Sequence, residues 1–264
     1  MAGQPWQLQL VKKSLKKREK LKLLEKHLSV RPEDTVLDLG CAQGILSHFL
    51  RLKGGRWLSA DLDMVNCQTS LELLGSNVLQ IGTDFLPFKN QAFDRIVSLD
   101  FLEHLEDELG CLNEIFRTLK TGGELVLATP RTGRGFLLQK LRPLLGITLD
   151  FYGHQREGYG LDELQKMLRQ AGFAPVLHKS FSRFFSEFFE LMLNFFYIKI
   201  YQPQSPQGLR DGHIRPTTSD EFGTRKKAFR LYSFVHPLIW LITRLDKLLF
   251  FQRGYGLMVW AKKR

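Results

Sequence analysis

The chain is short of cysteine and of long uncharged apolar runs, and each shortage excludes a class of protein. Its three cysteines, Cys41, Cys67 and Cys111, stand at no metal-binding or redox spacing, which fits a reducing compartment without disulfides. The N-terminus carries no apolar signal core, an argument against secretion. No stretch reaches the ~18 uncharged apolar residues of a transmembrane helix. Two nucleotide signatures are missing as well. G-x-G-x-x-G would need glycine at 40, 42 and 45, where the chain has Gly40, Ala42 and Ile45. No G-x-x-x-x-G-K-[ST] is present to cradle a phosphate. Acid is also scarce: 38 Lys and Arg against 27 Asp and Glu leave a formal charge of +11. That excess predicts acidic partners, either nucleic acid or an anionic membrane surface.

What is present is more specific. The apolar run Thr35 to Leu39 holds one acid, Asp38, and leads into Gly40-Cys41-Ala42-Gln43-Gly44, after which Ile45 to Leu52 has helical spacing. A second apolar run, Trp57-Leu58-Ser59-Ala60, ends in Asp61. Strand, glycine loop, helix, strand and acid in that order form a Rossmann-like nucleotide-binding unit. The glycines let backbone approach a ligand, and Asp61 can accept two hydrogen bonds from ribose hydroxyls. A carboxylate two residues before Gly40 suits a ligand with a positive end and no pyrophosphate.

At these residues the chain resembles the class I S-adenosylmethionine-dependent methyltransferases, with Asp38-Leu39-Gly40-Cys41-Ala42-Gln43-Gly44 as the first motif. The family more often has glycine where Ala42 stands, so one extra methyl group enters the loop. Further segments match in order. Thr83 to Phe88 reads as the end of the third strand, Phe93 to Leu99 as the fourth, Leu112 to Leu119 as a helix stopped by Gly122-Gly123, and Glu124 to Pro130 as the fifth. Asp162 to Ala171 is a helix, Ala174 to Ser180 the sixth strand and Gly256 to Ala261 the seventh. The resemblance spans residues 20–180 and the last strand. It implies an α/β, Rossmann-like seven-stranded methyltransferase fold, mostly parallel with an antiparallel last strand and a helical insertion between strands six and seven. It also implies S-adenosylmethionine as cofactor, held by Asp38, Gly40, Cys41, Gly44, Asp61, Leu62, Asp84, Phe85 and Leu99, with Asp84 meeting the adenine amino group.

Two segments carry candidate chemistry. Asp100-Phe101-Leu102-Glu103-His104 is similar to the acid-x-x-Glu-His segment of ubiquinone-pathway O-methyltransferases, where both acids and the histidine hold a divalent cation. At a helix start these positions share one face. Glu-His-Leu also stands here in methyltransferases that use no metal, so Glu103 and His104 as pocket residues, or as a helix cap, remain open. The second segment, Tyr152-Gly153-His154-Gln155-Arg156-Glu157-Gly158-Tyr159, is similar to the Gly-His-x-Arg stretch at the acceptor pocket of small-molecule and lipid-modifying methyltransferases. His154 has the ordinary pKa of a base near neutrality. Arg156 could hold an acidic group, with Tyr152 and Tyr159 beside it. A histidine and arginine tying a loop to the sheet is the alternative.

Between strands six and seven lie about seventy residues, where the family's connection is short, and excursions of that length are usually functional. Phe181, Phe184, Phe185, Phe188, Phe189, Met192, Phe195 and Phe196 follow helical spacing, and a second apolar piece runs from Leu231 to Phe251. The stretch Gln202 to Thr224 between them reads as a polar loop or lid. Two such helices could pack on each other, lie in a membrane interface, cover a greasy substrate, or pair with a second copy. At the other end Lys12, Lys13, Lys16, Lys17, Arg18, Lys20, Lys22 and Lys26 crowd one predicted helix. This helix is either a solvated cap or an electrostatic attachment to anionic headgroups. The domains expected are a basic helix over 1–30, a catalytic domain over 31–180 and 253–264, and the insertion over 181–252. The activity expected is methyl transfer to a lipid-linked or apolar small molecule, by a cytoplasmic chain peripheral on the inner face of a membrane. An RNA methyltransferase and a catalytically weak membrane scaffold are the alternatives.

Overall fold

The computed structural model describes residues 5–83, 85–201, 223 and 226–264. Period-two alternation sorts each strand's side chains to two faces, and helices cover both. The elements in chain order are α1 (Trp6–Val11), α2 (Leu15–His27), β1 (Thr35–Leu39), α3 (Ile45–Arg51), β2 (Arg56–Asp61), α4 (Met64–Leu74), β3 (Val78–Gln80) and β4 (Phe93–Leu99). There follow α5 (Glu108–Thr118), β5 (Leu119–Pro130), α6 (Leu137–Leu141), α7 (Leu149–Tyr152), α8 (Leu161–Gln170), β6 (Phe173–Phe181), α9 (Phe184–Tyr201), α10 (Lys226–Thr243) and β7 (Gly256–Lys263). The sheet order is β3-β2-β1-β4-β5-β7-β6. Only β7 runs against the others, paired with β5 on one side and β6 on the other. This is the seven-stranded Rossmann-like methyltransferase fold.

Leu37, Ile96, Leu125, Leu127, Leu257 and Val259 pack on one face with Leu112, Ile115 and Leu164. Their neighbours Val36, Val97, Val126, Met258 and Trp260 turn to the other face and meet Leu24, Leu28 and Leu50. The N-terminal basic segment is therefore a layer of the fold. It is two helices rather than one, restarted at Ser14, whose side chain caps the backbone N–H of Lys17 at 3.4 Å. Leu15, Leu24 and Leu28 are buried, while Lys16 and Lys20 turn inward to ion pairs. The third strand is shorter than its apolar pattern suggested: β3 stops at Gln80, and residues 85–88 are irregular. The remaining strands expected lie within the observed ones, with the fifth beginning earlier, at Leu119. The inserted pair of helices forms as α9 and α10, while Gln202 to Thr224 lies outside the described residues apart from Gly223.

The insertion leaves the sheet at Phe181 and re-enters at Gly256, residues directly paired across β6 and β7. Its anchor is Glu187 on α9, whose side chain is 1% exposed. Glu187 accepts from Arg142, from Lys16 at 3.0 Å and from the Ser182 hydroxyl at 3.2 Å. Burial works to raise its pKa, but Lys16 and Arg142 outweigh it and hold the carboxyl below the ordinary value. A depressed carboxyl contributes stability that is present above the unfolded pKa of about 4.3 and lost as pH falls through the lower folded value. Glu187→Gln leaves two inward cations without their acid, and denaturant unfolding at pH 7 should show a loss of about 3–5 kcal/mol. The same comparison in acid, below the folded pKa, should show a smaller difference.

Candidate active site

The carboxyl ends of β1, β2 and β4 meet along one edge of the sheet and enclose a cleft of about 360 Å³. Backbone geometry shapes its floor. Gly40 sits at φ +83°, and a Cβ there would lie 2.7 Å from the Phe101 ring. Gly44 sits at φ +74°, with Ser70 Oγ 2.6 Å from where its Cβ would be. Both conditions demand glycine. Ala42 adopts φ +47°, a left-handed conformation that costs a side chain about 1 kcal/mol, which accounts for the glycine more usual in the family.

That strained loop is tied directly to the acid on the next strand. The Ala42 N–H donates to Asp61 Oδ2 at 2.7 Å. Asp61 Oδ1 accepts from the Asp63 N–H and the Asn66 amide, each at 3.1 Å. A carboxylate so held is pre-oriented toward the cleft it lines. Asp38 is buried and accepts from Ser47 on α3, and burial pushes its carboxyl up to about 6 against that hydrogen bond. Gly40, Cys41, Leu62 and Leu99 also line the cleft, and burial pushes the Cys41 thiol well above its ordinary value. Phe85 stands elsewhere, 64% exposed beside a small separate recess formed with Ile81, Leu86 and Leu105. The Phe85 side chain does not line the main cleft, and the expectation placed only its backbone beside the adenine. Asp84 lies outside the described residues.

The other end of the cleft is reached by Asp100, Phe101, His104 and Lys17. Asp100 takes φ +52°, and its carboxylate pairs with the buried Lys20 of α2. Only Leu102–His104 then form a single 3-10 turn, so Asp100, Glu103 and His104 do not share a helical face. The acid-x-x-Glu-His ligand set is corrected accordingly. His154 takes the place of Asp100: one ligand atom each from Glu103, His104 and His154 lie within 4.8 Å of one another. Glu103 is fully buried, and neither carboxylate oxygen has a hydrogen-bond partner. Burial pushes Glu103 up and Lys20 down, and their attraction opposes both shifts.

The two imidazoles have distinct roles. His104 Nδ1 lies 2.8 Å from the Gly153 carbonyl, an acceptor only, so Nδ1 carries the proton and Nε2 is the basic nitrogen. His154 meets His104 edge-on at 4.7 Å and stacks on Tyr152 at 5.2 Å. Burial, then the neighbouring His104, Arg142 and Lys16, push His154 down to about 3. That corrects the expectation of a base near neutrality: His154 stays neutral and binds a proton too weakly to keep it.

Arg156 and Tyr159 are corrected as well. The guanidinium pairs with Glu108 at 3.2 Å and with Glu163 at 2.5 Å, donates to the Gly158 carbonyl at 2.9 Å and covers the Tyr159 ring at 4.1 Å. Tyr159 is fully buried, with its hydroxyl on Glu108 at 2.8 Å. Together they tie the loop to α5 and α8, which was the alternative open in the sequence. Tyr152 does reach the reactive end, and its hydroxyl accepts from the Asn194 amide of α9 at 2.7 Å. Lys17, Lys20 and Asn66 escaped sequence reasoning. Asn66 follows an acid by five residues and could have been noticed, whereas nothing in the basic run distinguishes the inward lysines from the outward ones.

Known proteins share this arrangement. The tRNA U34 carboxymethyltransferase of Vibrio atlanticus is 29% identical over 163 residues, 57% of this chain and 48% of that protein. The ubiquinone biosynthesis O-methyltransferase of Parvibaculum lavamentivorans is 29% identical over 108 residues, 38% and 43% of the two chains. The chain thus spans about half the length of these relatives or less. A methyltransferase complexed with the Haloferax volcanii Trm112 methyltransferase activator superimposes at a TM-score of 0.58, with 19% identity over 98% of this chain and 96% of that one. Phosphoethanolamine N-methyltransferase 2 of Haemonchus contortus, in complex with S-adenosyl-L-methionine, gives 0.58 with 16% identity over 93% and 52%. At these identities the two structures speak for the fold alone. A family profile described as a methyltransferase domain matches residues 11–178. With that match covering more than half of its length, the chain belongs to the class I S-adenosylmethionine-dependent methyltransferases.

Proposed function

We propose that the chain transfers a methyl group to an apolar, lipid-linked small molecule that it meets at an anionic membrane surface. The observation that carries this reading is the way the aromatic insertion is fastened to the reactive end. Asn194 of α9 donates to Tyr152, which stacks on His154, and Leu191 of the same helix shares an apolar cluster with Phe136, Leu138, Ile147 and Tyr255. A packed apolar cluster of the insertion and the segment after β5 therefore adjoins Tyr152 beside the imidazoles. The ubiquinone-pathway relative supports an acceptor of this class.

The cleft's donors fit S-adenosylmethionine. Asp61, with three internal donors, keeps one acceptor site for a ribose hydroxyl, the strained loop leaves space for backbone approach, and Asp38 would stand toward the positive end. Once bound, the sulfonium supplies an already activated methyl group, so the protein's tasks are alignment, exclusion of water and removal of a proton. For a hydroxyl acceptor, His104 Nε2 is the base. Glu103, with a carboxylate oxygen no more than 4.8 Å away, stabilises the imidazolium by the order of 3 kcal/mol at an effective dielectric near 20. His154 and Tyr152 are positioning residues that wall the imidazole off from water. The same Glu103, His104 and His154 donors also suit a divalent cation, which would polarise an acceptor oxygen.

RNA methylation is the second reading, favoured by the net charge and by the tRNA-modifying relative. Against it, Lys16 and Lys20 are committed to internal ion pairs, which diminishes the basic face of α2.

Four outcomes are expected. Labelled methyl from S-adenosylmethionine, offered with a host-cell extract, should enter the organic-soluble fraction; label in RNA would favour the second reading. Asp61→Ala should weaken cofactor binding by calorimetry about tenfold or more, through loss of a charge-assisted ribose hydrogen bond and of the tie to Ala42. His104→Ala should lower kcat about 10²–10⁴-fold, with turnover insensitive to chelators if His104 acts as a base and sensitive if a cation does the work. The acidic limb of the pH–kcat profile reports protonation of His104 beside Glu103, and Glu103→Gln, by removing the acid that stabilises the imidazolium, should move that limb to lower pH.

A further inference from the structure

The outward face of α10 is apolar along its whole length. Leu231, Phe234, Val235, Leu238 and Leu241 recur at helical spacing and point away from the protein, and the stripe continues through Leu245 to Phe250 and Phe251. Phe234 is 85% exposed, Phe250 80% and Phe251 71%. Scattered exposed apolar residues are ordinary, but a continuous stripe of this length marks an interaction surface.

The orientation of the helix is fixed from behind. The Tyr232 hydroxyl donates to the Lys13 carbonyl at 2.8 Å, and His236 is buried. Asp246, also buried, accepts from the backbone N–H groups of Phe185 and Ser186 at 2.8 and 3.0 Å, at the start of α9. Rotation of the stripe into the core would break all of these contacts.

Charge identifies the occupant. From residue 226 to 253 the chain has one acid, Asp246, and it is consumed internally. Lys227, Arg230, Arg244, Lys247 and Arg253 are exposed, so every exposed charge beside the stripe is positive. Trp240 lies under the Arg244 guanidinium at 4.1 Å, an amphipathic pairing suited to a headgroup boundary. Among the described residues no helix is long and apolar enough to cross a membrane. A surface with an apolar centre and a wholly basic rim, on a helix too short and interrupted to span, fits an element lying in the plane of an anionic bilayer.

We propose that α10 with Leu245–Phe251 is the membrane-docking face of this enzyme, immersed at the acyl boundary with Arg244, Lys247 and Arg253 among phosphate headgroups. The N-terminal basic helix is not that face, since its lysines are partly spent on Glu187 and Asp100. Docked in this way, the protein holds α9 between the bilayer and Tyr152, the residue that leads to the two imidazoles. The inference rests on the proposed membrane-borne acceptor for its purpose, but not for its test.

The test is flotation of the purified full-length chain with vesicles of phosphatidylcholine, with and without phosphatidylglycerol, in the absence of any methyl acceptor. The chain should float with anionic vesicles and be released by salt. Phe234→Ser combined with Phe250→Ser and Phe251→Ser should reduce binding about tenfold or more. Arg244→Glu with Lys247→Glu should abolish the anionic preference. Leu52→Ser, at an exposed leucine outside the stripe, should change nothing. Unchanged melting temperatures would show that the variants fold. Flotation of the triple variant at the level of the parent would overturn the proposal, and so would no flotation of the parent. A salt-resistant dimer dispersed by the same three serines, without vesicle binding, would overturn it in favour of a second copy. Methyl transfer to a detergent-dispersed lipid acceptor by the triple variant separates the two readings: its loss in the parent as well would sink the acceptor class and leave the docking result standing.

Discussion

Glu187 is where three otherwise separate parts of the chain become one object. It stands on α9, inside the insertion, and takes Lys16 from the N-terminal helix, Arg142 from the segment after α6 and the Ser182 hydroxyl from the end of β6. A carboxylate buried to this degree would be neutral if left alone, and two cations keep it ionised. The neighbouring contacts have the same logic. Ser182 N–H donates to Glu19 at 2.7 Å, its carbonyl receives Tyr255 N–H at 2.7 Å, and the Tyr255 hydroxyl receives Leu138 N–H at 3.2 Å. The walls of the reactive end therefore stand or fall together.

Burial also sorts the ionisable groups of the site by role. Asp61 is shared among three donors and faces the cleft as a carboxylate. Asp38 lies deeper and relies on Ser47. The Glu103 carboxylate has no hydrogen-bond partner and its charged form is favoured by Lys20, while His154 is driven neutral by the same desolvation. His104 stands close to one carboxylate without a hydrogen-bond partner and to a second imidazole whose proton affinity burial lowers. The lowered proton affinity of His154 is produced by its surroundings alone.

The molecule is also polarised as a whole. The glycine-loop end of the cleft opens between β1 and β2, the two imidazoles lie at its other end, and the apolar outer stripe of α10 is exposed to solvent. Because the insertion departs from and returns to paired positions on β6 and β7, it adds this surface without disturbing the sheet.

By itself the sequence determined the strands, their order of use and the cofactor end of the cleft. Alternation of apolar residues, glycines at Gly40 and Gly44 and an acid at the end of a strand are local signals, legible because each acts within a few residues of its neighbours. The Thr83–Phe88 segment misled because an apolar pattern does not distinguish a short strand from the loop that follows it. Only the tertiary structure decided the reactive end. Asp100 left the acid-x-x-Glu-His set because a left-handed backbone turned it toward Lys20, eighty residues earlier. Arg156 was lost to Glu108 and Glu163, and His154 was stripped of basicity by burial. Which lysines of the N-terminal run face inward was likewise decided by acids on distant elements. Proton affinity and charge pairing depend on what surrounds a group in space, and sequence spacing carries no record of that.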